Sequence, residues 1–182
     1  TQLREANAAL IAHSYTDALT GLPNRRAIFE DLTTLFSLAR HLKRNAIIAF
    51  IDLDDFKLIN DRYGHEAGDQ FLIEVGKRLT EEKQQDDIIG RLGGDEFLVA
   101  SLSQPHQDGD NAQLTLLKTR LSACIAGEYW LGSVHIIYPG ASFGVIEVDP
   151  AATDPDSALR AADVAMYQDK KGKSKSRFLT ID

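Results

Sequence analysis

Apolar and polar positions along the chain switch repeatedly between a period near 3.6 and short continuous apolar runs, and each switch marks a new element. Residues 2–15 place Leu3, Ala6, Leu10 and His13 at spacings of three and four, the stripe of a helix. Two heptads suit a coiled coil as well as a helix packed on its own domain. Gly21 and Pro23 break the stripe, and Asn24 predicts an N-cap for a core-facing helix over 25–41 carrying Ile28, Leu32, Leu35, Phe36 and Leu38 or Ala39. Ala46 to Ile51 is unbroken apolar sequence, which predicts a central strand buried on both faces. A short helix over 56–63, a turn from Gly64 to Gly68 and a helix over 69–80 with Phe71, Leu72, Val75 and Leu79 inside are expected next.

Beyond these, the pattern predicts strands on either side of Gly93-Gly94, a polar loop over 103–110 and a helix over 111–125. Two strands, 129–138 and 141–148, then flank Pro139-Gly140, and a helix over 156–171 leads to a last strand over 177–181. This order reads as an α+β fold with a mostly antiparallel sheet flanked by helices. At 182 residues the chain fits a single domain with a sizeable core. Residues 1–16 form a helical linker and 17–182 the domain itself.

A net charge of −7 argues against generic nucleic-acid binding, which needs a basic face, yet leaves room for a nucleotide bound through a metal. The one cysteine, Cys124, falls in the apolar pattern Leu117, Leu121, Cys124, Ile125 and reads as a small buried hydrophobe. No apolar run has membrane-spanning length, so a cytoplasmic location without membrane contact by this segment is expected. A start at Thr1 rather than Met suggests a piece of a longer protein, with room for an anchor upstream.

The candidate chemistry lies in acids at two element ends. Asp52 follows the buried strand, and burial there is costly without solvent, a cation or a metal. Asp95 and Glu96 follow Gly93-Gly94, which read as the tip of a type I′ hairpin. Symmetric pairing sets Glu96 across from Arg91 as an ion pair and leaves Asp95 facing either a cation or phosphate, or simply solvent. Were the two strands neighbours, Asp52 and Asp95 would converge on one rim and hold hard cations through oxygen, with Lys57 and the basic tract 170–177 nearby to meet phosphates. Asn60 and Asp69 offer the donor and acceptor set that selects guanine over adenine, although Asp69 also suits a helix cap. There is no Walker-type loop, GxSxG elbow or zinc set, and His65, His106 and His135 read as isolated structural histidines.

Five motifs together resemble the GGDEF family of diguanylate cyclases: 17–26 (DALTGLPNRR), 52–61 (DLDDFKLIND), 64–69 (GHEAGD), 91–97 (RLGGDEF) and 162–167 (ADVAMY). The resemblance implies a palm-like fold and condensation of two GTP into cyclic di-GMP and pyrophosphate. By that resemblance, Asp52, the Leu53 carbonyl and Asp95 match ligands of Mg²⁺ or Mn²⁺, and Asn60 and Asp69 match the guanine readers. Phe56, Lys57, Lys170 and Lys173 match phosphate-lining positions. Gly93 and Gly94 lie by the ribose and α-phosphate, and Glu96 is a second acid able to help deprotonate the 3′-hydroxyl. Each family domain holds one GTP, which implies a homodimer and an upstream sensor acting through residues 1–16. Two departures stand out. Gln84 replaces the Arg of the family's Arg-x-x-Asp inhibition site, with Asp87 retained, and Lys173-Ser174 replaces Arg-Asn. The alternatives are a catalytically weak GTP-binding or partner-docking module, and a cyclase making a cyclic mononucleotide.

Overall fold

The computed structural model describes residues 1–105, 111–173 and 179–180. Residues 106–110 of the expected loop with His106, residues 174–178 of the basic tract and last strand, residue 181, and the side chain of His13 lie outside the described residues. In chain order the elements are α1 (Gln2–Tyr15), α2 (Arg25–Leu42), β1 (Ala46–Leu53), α3 (Phe56–Tyr63), α4 (His65–Glu82), β2 (Ile88–Gly93), β3 (Glu96–Leu102), α5 (Ala112–Ile125), β4 (Gly127–Leu131), β5 (Val134–Tyr138), β6 (Ala141–Val148), α6 (Pro155–Gly172) and β7 (Leu179–Thr180).

β1 is buried along its whole length, as its apolar run requires, and it continues through Asp52 and Leu53. It sits inside a four-stranded sheet ordered β2-β3-β1-β6, antiparallel to both β3 and β6. Because strand side chains alternate, β1 feeds two cores. Ile48 and Phe50 join Ile28, Leu32 and Phe36 of α2 and Ala158, Ala162 and Met166 of α6 on one face. Ala49, Ile51 and Leu53 join Phe71, Val75 and Leu79 of α4, Leu121 and Ile125 of α5, and Tyr129, Ile136 and Tyr138 on the other. The fold is α+β, an antiparallel sheet with helices on both sides.

Several expectations hold in detail. Asn24 caps α2 by accepting from the Ala27 N–H at 3.1 Å, and Ala39, not Leu38, takes the buried place in the stripe. Others need correction. The stretch 64–68 is not a turn: Gly64 alone breaks the chain, at φ 90°, and α4 starts at His65. Asp69 is therefore inside a helix and caps nothing, and His65 is exposed. The expected strand 129–138 is a hairpin, β4 and β5, reversed at Gly132 with φ 67°. It belongs to a separate sheet ordered β4-β5-β7. Cys124 is half-buried, and burial pushes its thiol up to about 11. His135 stacks on the exposed Trp130 at 3.8 Å, and its Nε2 is buried without a hydrogen-bond partner, 3.5 Å from Glu128.

Candidate active site

The site grows from strand register. Asp52 of β1 pairs with Glu96 of β3 and with Ser142 of β6. Asp52 has the parity of Ile48 and Phe50, so it and Glu96 point to the α2/α6 side, past the edge of that core. The Leu53 N–H donates to the Asp95 carbonyl at 3.1 Å, which brings the β2–β3 tip to the end of β1. Asp52, Asp95 and Glu96 thus share one rim.

The hairpin differs from the symmetric expectation. Gly93 pairs with Glu96, so the tip is Gly94-Asp95, and a register shift lies between Arg91 and Gly93. Gly93 and Gly94 adopt φ of 140° and 51°, and an added Cβ would meet nothing within 4 Å at either, so backbone conformation rather than crowding selects glycine there. Arg91 lies opposite Phe97 and shares its face, turned away from Glu96. The expected Arg91–Glu96 ion pair is absent. Arg91 instead binds both Asp17 carboxylate oxygens through Nη1 at 3.0 Å and the Gly94 carbonyl through Nε at 3.0 Å and Nη2 at 2.7 Å.

Like charges crowd the rim. Burial, and then the neighbouring Asp52 charge, raise the Asp95 carboxyl above its ordinary range. Burial followed by Asp52, Asp163 and Asp95 raises Glu96, with Arg25 opposing. Arg25, at the start of α2, is thus near enough to oppose that rise, while its Nε donates to the Leu92 carbonyl at 3.3 Å. Lys170 donates to Asp52 Oδ1 at 2.8 Å; burial works to lower its ammonium, but Asp52 and then Asp95 and Asp54 raise it overall. Asp163 and Lys170 lie two helical turns apart on α6 and so face the same way.

A second network holds the loop after β1. Asp54 is buried, accepts from Ser142 Oγ at 2.6 Å, and has Lys173 Nζ at 3.3 Å from its other oxygen. Lys173 also donates to the Ala141 carbonyl and lies 3.6 Å from Asp169, so its ammonium is turned onto the protein. The Tyr138 hydroxyl donates to the Asp54 carbonyl at 2.7 Å. Asp55 follows at φ 57°, unusual for a residue with a side chain, and α3 begins without a side-chain cap. That leaves the Phe56 and Lys57 amides at the helix start without intrahelical acceptors. The Phe56 ring stacks on Phe71 at 6.3 Å, while Lys57 is exposed. Asn60 within α3 and Asp69 in α4 stand across the Gly64 break, and neither side chain has a hydrogen-bond or ion-pair partner among the described residues.

The acids suit a hard divalent cation, because two converging carboxylates with one held up by the other's charge are relieved by positive charge. Among the described residues no group of three or more His, Cys, Asp or Glu side chains forms a cation cage. Two carboxylates and a backbone carbonyl would instead leave places for ligand oxygens. Sequence reasoning missed Arg25, Asp163, Asp17 and Ser142. Asp17, Arg25 and Asp163 fall inside the quoted motifs, and Asp163 has a helical spacing from Lys170 as well; Ser142 carried no signal.

Sheet order, acidic rim and flanking helices define a palm-like α+β domain of the nucleotidyl cyclase class. Residues 14–176 match the family model described as diguanylate cyclase, GGDEF domain. The chain is 65% identical over 178 residues to diguanylate cyclase DgcP of Escherichia coli (strain K12), covering 98% of this chain and 51% of that protein. It thus spans about half the length of this relative. A sensory box/GGDEF family protein from Caulobacter crescentus superposes with a TM-score of 0.80 at 31% identity, over 87% of this chain and 99% of that one. The coiled coil and GGDEF domain of DgcB from the same organism, solved in complex with c-di-GMP, gives 0.80 at 25% identity, over 96% and 90%. The chain belongs to the GGDEF-domain diguanylate cyclase family.

Proposed function

We propose that this domain condenses two GTP into cyclic di-GMP and pyrophosphate. The observation that carries the reading is the register that sets Asp52 across from Glu96 while Leu53 N–H holds the Asp95 carbonyl. Asp52, Asp95 and the Leu53 carbonyl would hold Mg²⁺ or Mn²⁺, which when bound neutralises phosphate charge and polarises the α-phosphate. Phe56 and Lys57 present backbone N–H groups and an ammonium to the phosphates. Lys170 releases Asp52 and turns to the same anions. Lys173 supports the loop through Asp54 and joins the phosphate contacts only by leaving that carboxylate. Asn60 and Asp69 read the guanine edge. Glu96, whose carboxyl burial and then Asp52, Asp163 and Asp95 raise, is as a carboxylate a stronger base than a free one and is poised to take the proton of the 3′-hydroxyl. Gly93 and Gly94 keep the approach to ribose and α-phosphate open.

One domain holds one GTP, so two copies facing each other about a two-fold axis complete the reaction, each 3′-hydroxyl aimed at the other's α-phosphate. Residues 1–16 link the domain 17–182 to an upstream sensor, and the reaction belongs in the cytosol, where GTP is. Among the described residues no helix is long and apolar enough to cross a membrane. Feedback through the Gln84–Asp87 site is weak: the guanidinium is missing and Asp87 accepts from the Gln84 N–H at 2.9 Å, folded onto its own turn.

Chromatography of products after incubation with GTP and Mg²⁺ tests the reading. Cyclic di-GMP is expected from the wild type and not from Asp95→Ala, with added cyclic di-GMP at micromolar levels leaving the initial rate unchanged. GTP binding with no product would favour the docking-module alternative, and a cyclic mononucleotide would assign a different cyclase.

A further inference from the structure

Three crowded glycines separate by what crowds them. At Gly144 an added Cβ would meet the α6 backbone, 2.0 Å from the Ala162 carbonyl oxygen, and at Gly90 it would meet the Ile28 side chain and the Pro23 carbonyl. These are packing glycines. At Gly68 the three nearest atoms all belong to one side-chain end: Asn60 Oδ1 at 1.8 Å, Cγ at 2.9 Å and Nδ2 at 3.5 Å. Gly68 lies within α4 and outside the positive-φ residues, so its backbone does not call for glycine, and a helix interior favours alanine. The Asn60 main chain is itself fixed, since its carbonyl accepts from the Gly64 N–H at 2.9 Å at the end of α3. With the backbone held, the amide reaches its place over the first turn of α4, at the residue before Asp69, only across a bare Cα.

We propose that Gly68 is a specificity-positioning residue: its bare Cα lets the Asn60 amide lie over α4 at the residue before Asp69, so that the two side chains together recognise guanine. This rests on the assignment of Asn60 and Asp69 as base readers and extends it to a residue that touches no ligand. The physics separates recognition from stability. An alanine methyl displaces only the tip of a flexible side chain, which is cheap for folding, but a displaced amide no longer presents its donor and acceptor in register with Asp69.

The test measures calorimetric affinity of the intact chain for a non-hydrolysable GTP analogue and its adenine counterpart, in wild type, Gly68→Ala, Asn60→Ala and the double variant, with melting temperature alongside. Gly68→Ala is expected to melt at or above the wild-type temperature, to bind the guanine analogue about 10- to 100-fold more weakly, and to bind the adenine analogue as before. Because Gly68 acts through Asn60, the double variant should bind no more weakly than Asn60→Ala alone. Retained guanine affinity in Gly68→Ala, or losses that add in the double variant, overturn the proposal. A wild type that takes both analogues equally overturns the base-reader assignment itself and this proposal with it. A Gly68→Ala protein that melts far lower shows a packing glycine and also overturns it.

Discussion

Asp17 sits in the loop between α1 and α2, yet its carboxylate reaches Arg91 of the β2–β3 hairpin. It accepts from the Thr20 N–H and hydroxyl at 2.8 and 2.7 Å and from Arg91 at 3.0 Å. Burial alone would raise its carboxyl; the Thr20 and Arg91 hydrogen bonds outweigh that and hold it below the ordinary value of 3.8. A lowered folded value stabilises the protein above pH 3.8, and that stabilisation drains as pH falls through the lower value. Asp17→Asn should therefore cost about 1–3 kcal/mol near neutral pH. The gap from wild type should close on acidification below the aspartate range, where wild-type Asp17 protonates too. Urea unfolding at neutral and strongly acid pH checks this, and a gap that stays constant would remove the ion pair as its cause. Because Arg91 also holds the Gly94 carbonyl next to Asp95, turnover should fall along with stability.

At the scale of elements, the site depends on how closely α6 approaches the sheet. Gly144 of β6 permits that approach, since any Cβ there would collide with the α6 main chain at Ala162 and Met166. Backbone cannot swing aside as a side-chain tip can. Gly144→Ala should destabilise by about 1–3 kcal/mol or more, lowering the melting temperature by about 2–4 °C per kcal/mol for a domain of this size. It should also carry Asp163 and Lys170 away from Asp52, so activity below the melting transition should drop. An unchanged melting curve would mean that α6 slides without penalty. Three of the site's elements announce themselves in sequence: the unbroken apolar run of β1, the capped amphipathic α2 and the glycine pair at the β2–β3 tip. The second sheet did not: read as one strand, 129–138 hides the change of buried parity across Gly132-Ser133, from Tyr129 and Leu131 to Ile136 and Tyr138, that marks the reversal.

At the scale of the whole molecule, α1 meets α2 through Tyr15 and Ser14 but leaves an apolar stripe in the open. Leu3, Leu10 and Ile11 of α1 are 76, 67 and 61% exposed, an apolar stripe of the kind a second copy covers. If two domains must face each other, cyclic di-GMP formed per protein should fall on dilution, and Leu3→Glu with Leu10→Glu should steepen that fall without unfolding the domain. Sedimentation alongside the assay checks it. Constant specific activity in a demonstrably monomeric sample would sink the two-fold reading.

Sequence alone determined most of the element types, the buried central strand and the family, and it singled out the acids of the rim as candidates, because each is written in a local signal: period, cap, glycine pair or motif. Tertiary structure decided which charges meet. A one-residue shift at the tip turned Arg91 from Glu96 to Asp17, and strand parity put Glu96 beside Asp52 and near Arg25. Helix approach brought Lys170 onto Asp52 and Lys173 onto Asp54. Electrostatic partners depend on distances of a few ångströms through space, and the spacing of residues along a chain carries no such distances until the register is set.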